Sequence, residues 1–86
     1  MYFLYILQSE KDKKFYVGIT SDIEKRLKYH NSGRVNSTKH RIPFFVVYSE
    51  RYPDRKCARE REVFLKSYKG SGEKRDIIKM ALSSNG

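Results

Sequence analysis

Tyr2-Phe3-Leu4-Tyr5-Ile6-Leu7 is an unbroken β-prone run, and Phe15-Tyr16-Val17-Gly18-Ile19 is a second, across the polar stretch Ser9 to Lys14. The pair reads as an antiparallel hairpin. A run that is apolar on both of its faces has no side suited to water, so helices are expected to pack over this sheet. The expected class is therefore α+β.

Beyond the hairpin, Ser21 followed by Glu24 fits a capping box, with Asp22 and Glu24 near the positive end of a helix dipole. A helix is expected from about Asp22 to Asn31. Ile23 and Leu27 share its apolar stripe, while Arg26 and His30, four apart, project from a neighbouring face. Asn31-Ser32-Gly33 ends it. Gly33 to Pro43 carries Arg34, Lys39, His40 and Arg41 with hydroxyl and amide neighbours, which reads as an exposed basic loop able to track a phosphate backbone.

Phe44 to Tyr48 is the third strand, and Tyr52-Pro53-Asp54 turns into a helix from about Asp54 to Lys69. Ala58, Leu65 and Tyr68 form its apolar stripe, widened by Cys57 and Phe64, and Glu62 lies on the Ala58 and Leu65 side. Gly70-Ser71-Gly72 breaks the chain before a short last helix over Glu73 to Leu82. The expected order is strand, strand, helix, strand, helix, helix, in a single domain over residues 1–82 with a flexible tail at 83–86.

The chain of 86 residues has room for one modest core. Its formal net charge of +9, spread along the sequence, favours a polyanionic partner, because each phosphate neutralised releases counterions. Cys57 is the only cysteine, which excludes an internal disulfide and a thiolate zinc site and suggests a reducing compartment. Met1 to Leu7 is too short for a signal-peptide core, and no stretch approaches a membrane span. A soluble cytoplasmic protein without a membrane partner is expected.

Tyr5, Tyr16-Val17-Gly18, Arg26, His30 and Glu62 are the residue types that metal-assisted attack on a phosphodiester requires. Taken singly, the tyrosines read as ordinary strand residues, Arg26 and His30 as a solvated helix face, and Glu62 as one half of an ion pair with a neighbouring Arg or Lys. Taken together, their order resembles the GIY-YIG nuclease superfamily. Within it, the chain is similar to small stand-alone bacterial members related to the catalytic domain of the excision-repair incision subunit. Phe3-Leu4-Tyr5 stands for the first tripeptide and Tyr16-Val17-Gly18 for the second. The likeness continues through Gly18-Ile19-Thr20-Ser21-Asp22, Lys25-Arg26-Leu27, His30-Asn31-Ser32-Gly33, Ser37-Thr38-Lys39 and Val47-Tyr48-Ser49-Glu50 to Arg61-Glu62 and Leu65-Lys66.

This resemblance implies a small three-stranded antiparallel sheet flanked by helices and an endonuclease acting on DNA, with RNA left open. The catalytic set would be Tyr5, Tyr16, Arg26, His30 and Glu62, with a single Mg²⁺ or Mn²⁺ held by Glu62. Arg26 would offer its fork to the scissile phosphate. Tyr5 would accept the water's proton or orient the water, Tyr16 and His30 would position water or phosphate, and Gly18 would permit a close backbone approach. Lys25, Arg34, Thr38, Lys39, Arg41 and Lys66 are the expected nucleic-acid contacts. Family members commonly borrow specificity from an attached domain, which leaves room for a partner protein here. The alternative is a module that recognises structured or damaged nucleic acid without cutting it. One departure stands out: no asparagine follows Glu62 until Asn85, with Lys74 at the corresponding distance.

Overall fold

The structure, a computed structural model, describes residues 1–83. Its elements are β1 (Tyr2–Ser9), β2 (Phe15–Thr20), α1 (Ile23–Asn31), β3 (Phe44–Tyr52), α2 (Arg55–Lys66) and α3 (Ser71–Ser83). The strands form one antiparallel sheet in the order β2-β1-β3. This is the expected α+β architecture and element order.

The first strand, β1, is central, and its alternation builds two cores. Leu4 and Ile6 point to one side, where Val17, Leu65 of α2 and Ile78 of α3 join them. Tyr5 and Leu7 point to the other and meet Phe44, with Ile23 and Leu27 of α1 packed against them. Burying Leu4, Ile6, Leu7 and Leu65 completely contributes about 1.5–3 kcal/mol each. Helices therefore cover both faces, as an apolar central strand demands.

A bulge between Ile6 and Leu7 breaks the β1–β3 register, so that Ile6 faces Tyr48 but Leu7 faces Val46. The extra residue reverses the alternation of β3. On one side of it Tyr48, Glu50 and Tyr52 share the face of Leu4 and Ile6. On the other, Phe44 turns onto the face of Tyr5, where it is buried.

Several boundaries differ from the sequence expectation, each for a local reason. Asp22, not Ser21, caps α1, because the Asp22 carboxylate accepts from the Lys25 backbone N–H at 3.1 Å. The third strand runs on to Tyr52 because Tyr2, Phe3 and Leu4 pair with its far half. Helix α2 stops at Lys66, where the Ser67 backbone and hydroxyl both return to the Phe64 carbonyl. Tyr68 accordingly leaves the apolar stripe and is 95% exposed. The last helix begins at Ser71 and runs through Gly72, so the break falls at Gly70. A Cβ there would lie 1.9 Å from the Phe64 carbonyl oxygen. The expected tail begins in α3 at Ser83, and its remainder lies outside the described residues. Among those residues, no helix is long and apolar enough to cross a membrane.

Glu50 ties the layers together. It takes both phenol hydrogens of Tyr48 and Tyr52, at 2.6 and 2.5 Å, and a two-pronged bond from Arg61 of α2 at 2.9 and 3.1 Å. Arg61 also pairs with Glu73 of α3. Burial pushes the Glu50 pKa up, but Arg61 and the two phenols outweigh it and hold the carboxyl below its usual 4.5. A depressed folded pKa means stability that is complete above the unfolded value and is lost as pH falls through the folded one. Glu50→Ala is expected to cost about 2–4 kcal/mol in urea denaturation at neutral pH, because Arg61 and two phenols lose their acceptor. The deficit relative to wild type should shrink below the folded Glu50 pKa.

Candidate active site

Tyr5 and Gly18 are directly paired across β1 and β2, and so are Leu7 and Tyr16, which places all four on the α1 side. The end of the Tyr5 ring lies over Gly18. A Cβ at position 18 would sit 2.5 Å from the Tyr5 hydroxyl, 2.7 Å from its Cζ and 3.2 Å from Tyr16. The close approach that Gly18 permits is thus made by the Tyr5 side chain.

Helix α1 lowers His30 onto these rings. His30 is fully buried, with its ring edge-on to Tyr16 at 4.8 Å and near Phe44 at 6.0 Å. Its Nε2 is 3.2 Å from the Tyr5 hydroxyl and its Nδ1 is 3.1 Å from the Thr38 hydroxyl. The tautomer follows from the network. Thr38 donates to the Val35 carbonyl at 3.5 Å, so it accepts from Nδ1–H, and Nε2 accepts from Tyr5. Burial, reinforced by the nearby Arg26 charge, lowers the His30 pKa to about 4. The imidazole is neutral at physiological pH.

Arg26, one helical turn before His30, faces both phenols. Its guanidinium lies 5.3 Å from the Tyr29 ring centroid. The Tyr5 phenol beside it raises its pKa further, against the opposing effect of burial. The Arg26 Nε is buried and has no hydrogen-bond partner among the described residues. Burial raises the pKa of Tyr5, 2% exposed, although Arg26 pulls the other way. Tyr5 is therefore a neutral phenol that donates to His30, and the half-buried Tyr16 is the more open of the two.

Glu62 reaches this cluster from α2, on the far side of the sheet. It is 6% exposed, with Arg59 on one oxygen at 2.6 Å and Lys66 on the other at 3.0 Å. Burial pushes its pKa up, but those two cations hold it below the usual value. The Lys66 ammonium also stands 5.8 Å over the Tyr16 ring, which links Glu62 to the phenols round the β2 edge. Among the described residues, no three His, Cys, Asp or Glu gather in a metal-binding group.

Of the expected nucleic-acid contacts, Thr38 is instead framework and Arg41 is half-buried in an ion pair. Thr38 is fully buried and its hydroxyl holds His30. Arg41 turns inward to Asp12 at 2.9 Å and lies over Phe44, while its carbonyl accepts from buried Ser9. A hydrophilic loop conceals such inward turns because its composition does not say which side chains find partners. Lys25, Arg34, Lys39 and Lys66 do reach solvent. Asn31 does more than end α1: its amide brackets the Phe44 backbone, donating to the carbonyl at 3.0 Å and accepting from the N–H at 2.7 Å. Its place beside His30 was the available signal. Asp54 keeps the Cys57 thiol protonated by raising its pKa, consistent with a packing residue rather than a nucleophile.

A family model for the GIY-YIG catalytic domain matches residues 1–76. A UPF0213 protein of Streptococcus pyogenes serotype M5 is 33% identical over 73 residues, covering 84% of this chain and 78% of that protein. Its counterpart in serotype M3 matches with the same identity and coverage, 33% over 73 residues. The solution NMR structure of a UPF0213 protein from Bacillus halodurans superposes with a TM-score of 0.52 at 30% identity, covering 90% of this chain and 85% of that one.

The buried neutral imidazole makes stability depend on pH in a defined direction. Between about 4 and its ordinary 6.5, His30 binds a proton in the unfolded chain but not in the fold, so stability falls on acidification through that window. The loss should reach roughly 3 kcal/mol, and His30→Gln should flatten it, as read from melting curves over that range. Gly18→Ala should destabilise by about 1–3 kcal/mol in denaturant titration through overpacking. Its methyl group should also separate the Tyr5 hydroxyl from His30, measurable as an altered His30 ring resonance by NMR.

Proposed function

The chain belongs to the GIY-YIG family, a nuclease superfamily, and on that premise we propose that it is a divalent-metal-dependent endonuclease hydrolysing phosphodiester bonds in DNA. The observation that carries this reading is Arg26, whose buried Nε has no acceptor and whose fork stands between two phenols. A guanidinium with an unmet donor at a cationic opening suits a phosphate.

Hydrolysis needs an oriented water, a route for its proton, and compensation of charge on the non-bridging oxygens. Arg26 provides the compensation. Tyr16, as the more open phenol, orients the water. Tyr5 does not start as a phenolate, because burial keeps it protonated. It accepts the water's proton only as its own passes to His30 Nε2, and the low basicity of His30 requires the two transfers to accompany attack. As the water oxygen bonds to phosphorus, the bond to the leaving sugar oxygen breaks and that oxygen takes a proton from solvent. Thr38 keeps Nε2 as the accepting nitrogen.

Glu62 suits one Mg²⁺ or Mn²⁺ as a monodentate ligand. Each carboxylate oxygen keeps a lone pair beside its present partner, and Arg59 and Lys66 are side chains 59% and 48% exposed, free to swing aside. One carboxylate with waters and substrate phosphate is a common Mg²⁺ environment. The bound ion supplies Lewis-acid charge to the phosphate. Lys25, Arg34, Lys39 and Lys66 contribute phosphate contacts around the site.

The second reading, a module that binds nucleic acid without cutting, is favoured by the occupation of both Glu62 oxygens by cations. Labelled duplex, single-stranded, flapped and branched DNA, incubated with Mg²⁺ or Mn²⁺, separates the two. The nuclease reading expects metal-dependent cutting of at least one substrate, reduced about 10²- to 10³-fold by Arg26→Ala and abolished by Glu62→Ala with binding retained. Binding without cutting across the panel would overturn it in favour of the second.

A further inference from the structure

Three residues of α1, Lys25, Lys28 and Tyr29, and its C-cap Ser32 stand at the spacing that aligns side chains along one helix face. Together with Arg26 and Arg34 they line an open cleft of about 590 Å³ beside the phenol cluster. That size is in the range of ligand-binding clefts, roughly 300–1,000 Å³. Four cations face it. Asp22, the acid on its wall, already spends its carboxylate on the Lys25 backbone N–H at the helix cap. The ligand the cleft suits is therefore anionic.

Tyr29 makes the requirement more specific. It is a large aromatic residue 41% exposed in the middle of this charged surface. Arg26 lies against one face of its ring, 5.3 Å from the centroid. The same guanidinium thus braces an exposed π-surface and brings its positive charge beside it. An anionic ligand with a flat group next to its charge would satisfy both, and a nucleotide has that form.

We propose that this cleft binds an unpaired stretch of a nucleic-acid strand, with one base stacked on Tyr29 next to the phosphate that Arg26 holds. Lys25, Lys28 and Arg34 follow the backbone on either side. The substrate class is narrowed accordingly, because a base inside a duplex has both faces covered by its neighbours and cannot stack on a protein ring until it is extruded. The inference rests on the nuclease reading for the role of Arg26 as a phosphate ligand.

The test is fluorescence anisotropy in EDTA with three labelled DNAs: a single strand, a blunt duplex, and the same duplex carrying a short single-stranded gap. Single-stranded and gapped DNA should bind more tightly than the blunt duplex. Tyr29→Ala should weaken binding of both roughly 5- to 100-fold, the loss of one base–aromatic stack. Tyr29→Phe should retain it. Tyr29→Leu keeps an apolar side chain on the helix without the π-face and should match the alanine variant. Lys28→Gln should lower the salt slope by about 0.7, the contribution of one single-strand phosphate contact. Tyr29→Ala should leave that slope unchanged. Equal binding of blunt duplex and single strand, or wild-type affinity in both Tyr29→Ala and Tyr29→Leu, would overturn the proposal. EDTA keeps the result independent of cleavage: cutting with Tyr29-independent binding removes this inference alone, and Tyr29-dependent binding without cutting removes the nuclease reading alone.

Discussion

The site depends on one close approach, the Tyr5 ring lying on the bare backbone of Gly18. Only a residue without a Cβ leaves room for the Tyr5 hydroxyl at this point, and only there does it meet His30. His30 in turn needs burial against Tyr16 and Phe44, and Thr38 must accept its other nitrogen. Each member is held by at least one other. A small sheet thus presents a rigid polar cluster without a large enclosing domain.

The sheet supplies the platform through an irregularity. A regular β3 would place Phe44 on the face of Tyr48 and Tyr52, leaving His30 without an aromatic wall on that side. The bulge opposite Ile6 and Leu7 puts Phe44 on the Tyr5 face, and the Asn31 amide fastens its backbone to the end of α1. On the opposite face, Glu50 and Arg61 join β3, α2 and α3. The two faces divide the labour, with a carboxylate-centred lock for stability on one and a cation beside neutral rings on the other.

Electrostatically, the two sides of the sheet differ in what is already compensated. Arg61 is committed to Glu50 and Glu73, and Glu62 is committed to Arg59 and Lys66. Arg26 stands beside the Tyr5 and Tyr16 phenols and the Tyr29 ring, near a neutral imidazole. Burial keeps His30 and Tyr5 in their neutral forms, so the cationic character of this face is not offset from within.

By itself, the sequence determined the strand and helix order, the hairpin and the coverage of both sheet faces, and it put forward Tyr5, Tyr16, Arg26, His30 and Glu62 as one candidate set. Those follow from local apolar patterning, from spacing along one helix and from the order of short motifs, all of which are properties of neighbours in the chain. Tertiary structure decided the rest. It turned Thr38 from the solvent to the framework, paired Arg41 with Asp12, moved the α1 cap to Asp22, inserted the bulge that delivers Phe44, and protonated Tyr5 while neutralising His30. Each of these depends on a partner far away in sequence or on exclusion of water, and neither burial nor a long-range hydrogen bond is encoded in the spacing of a segment.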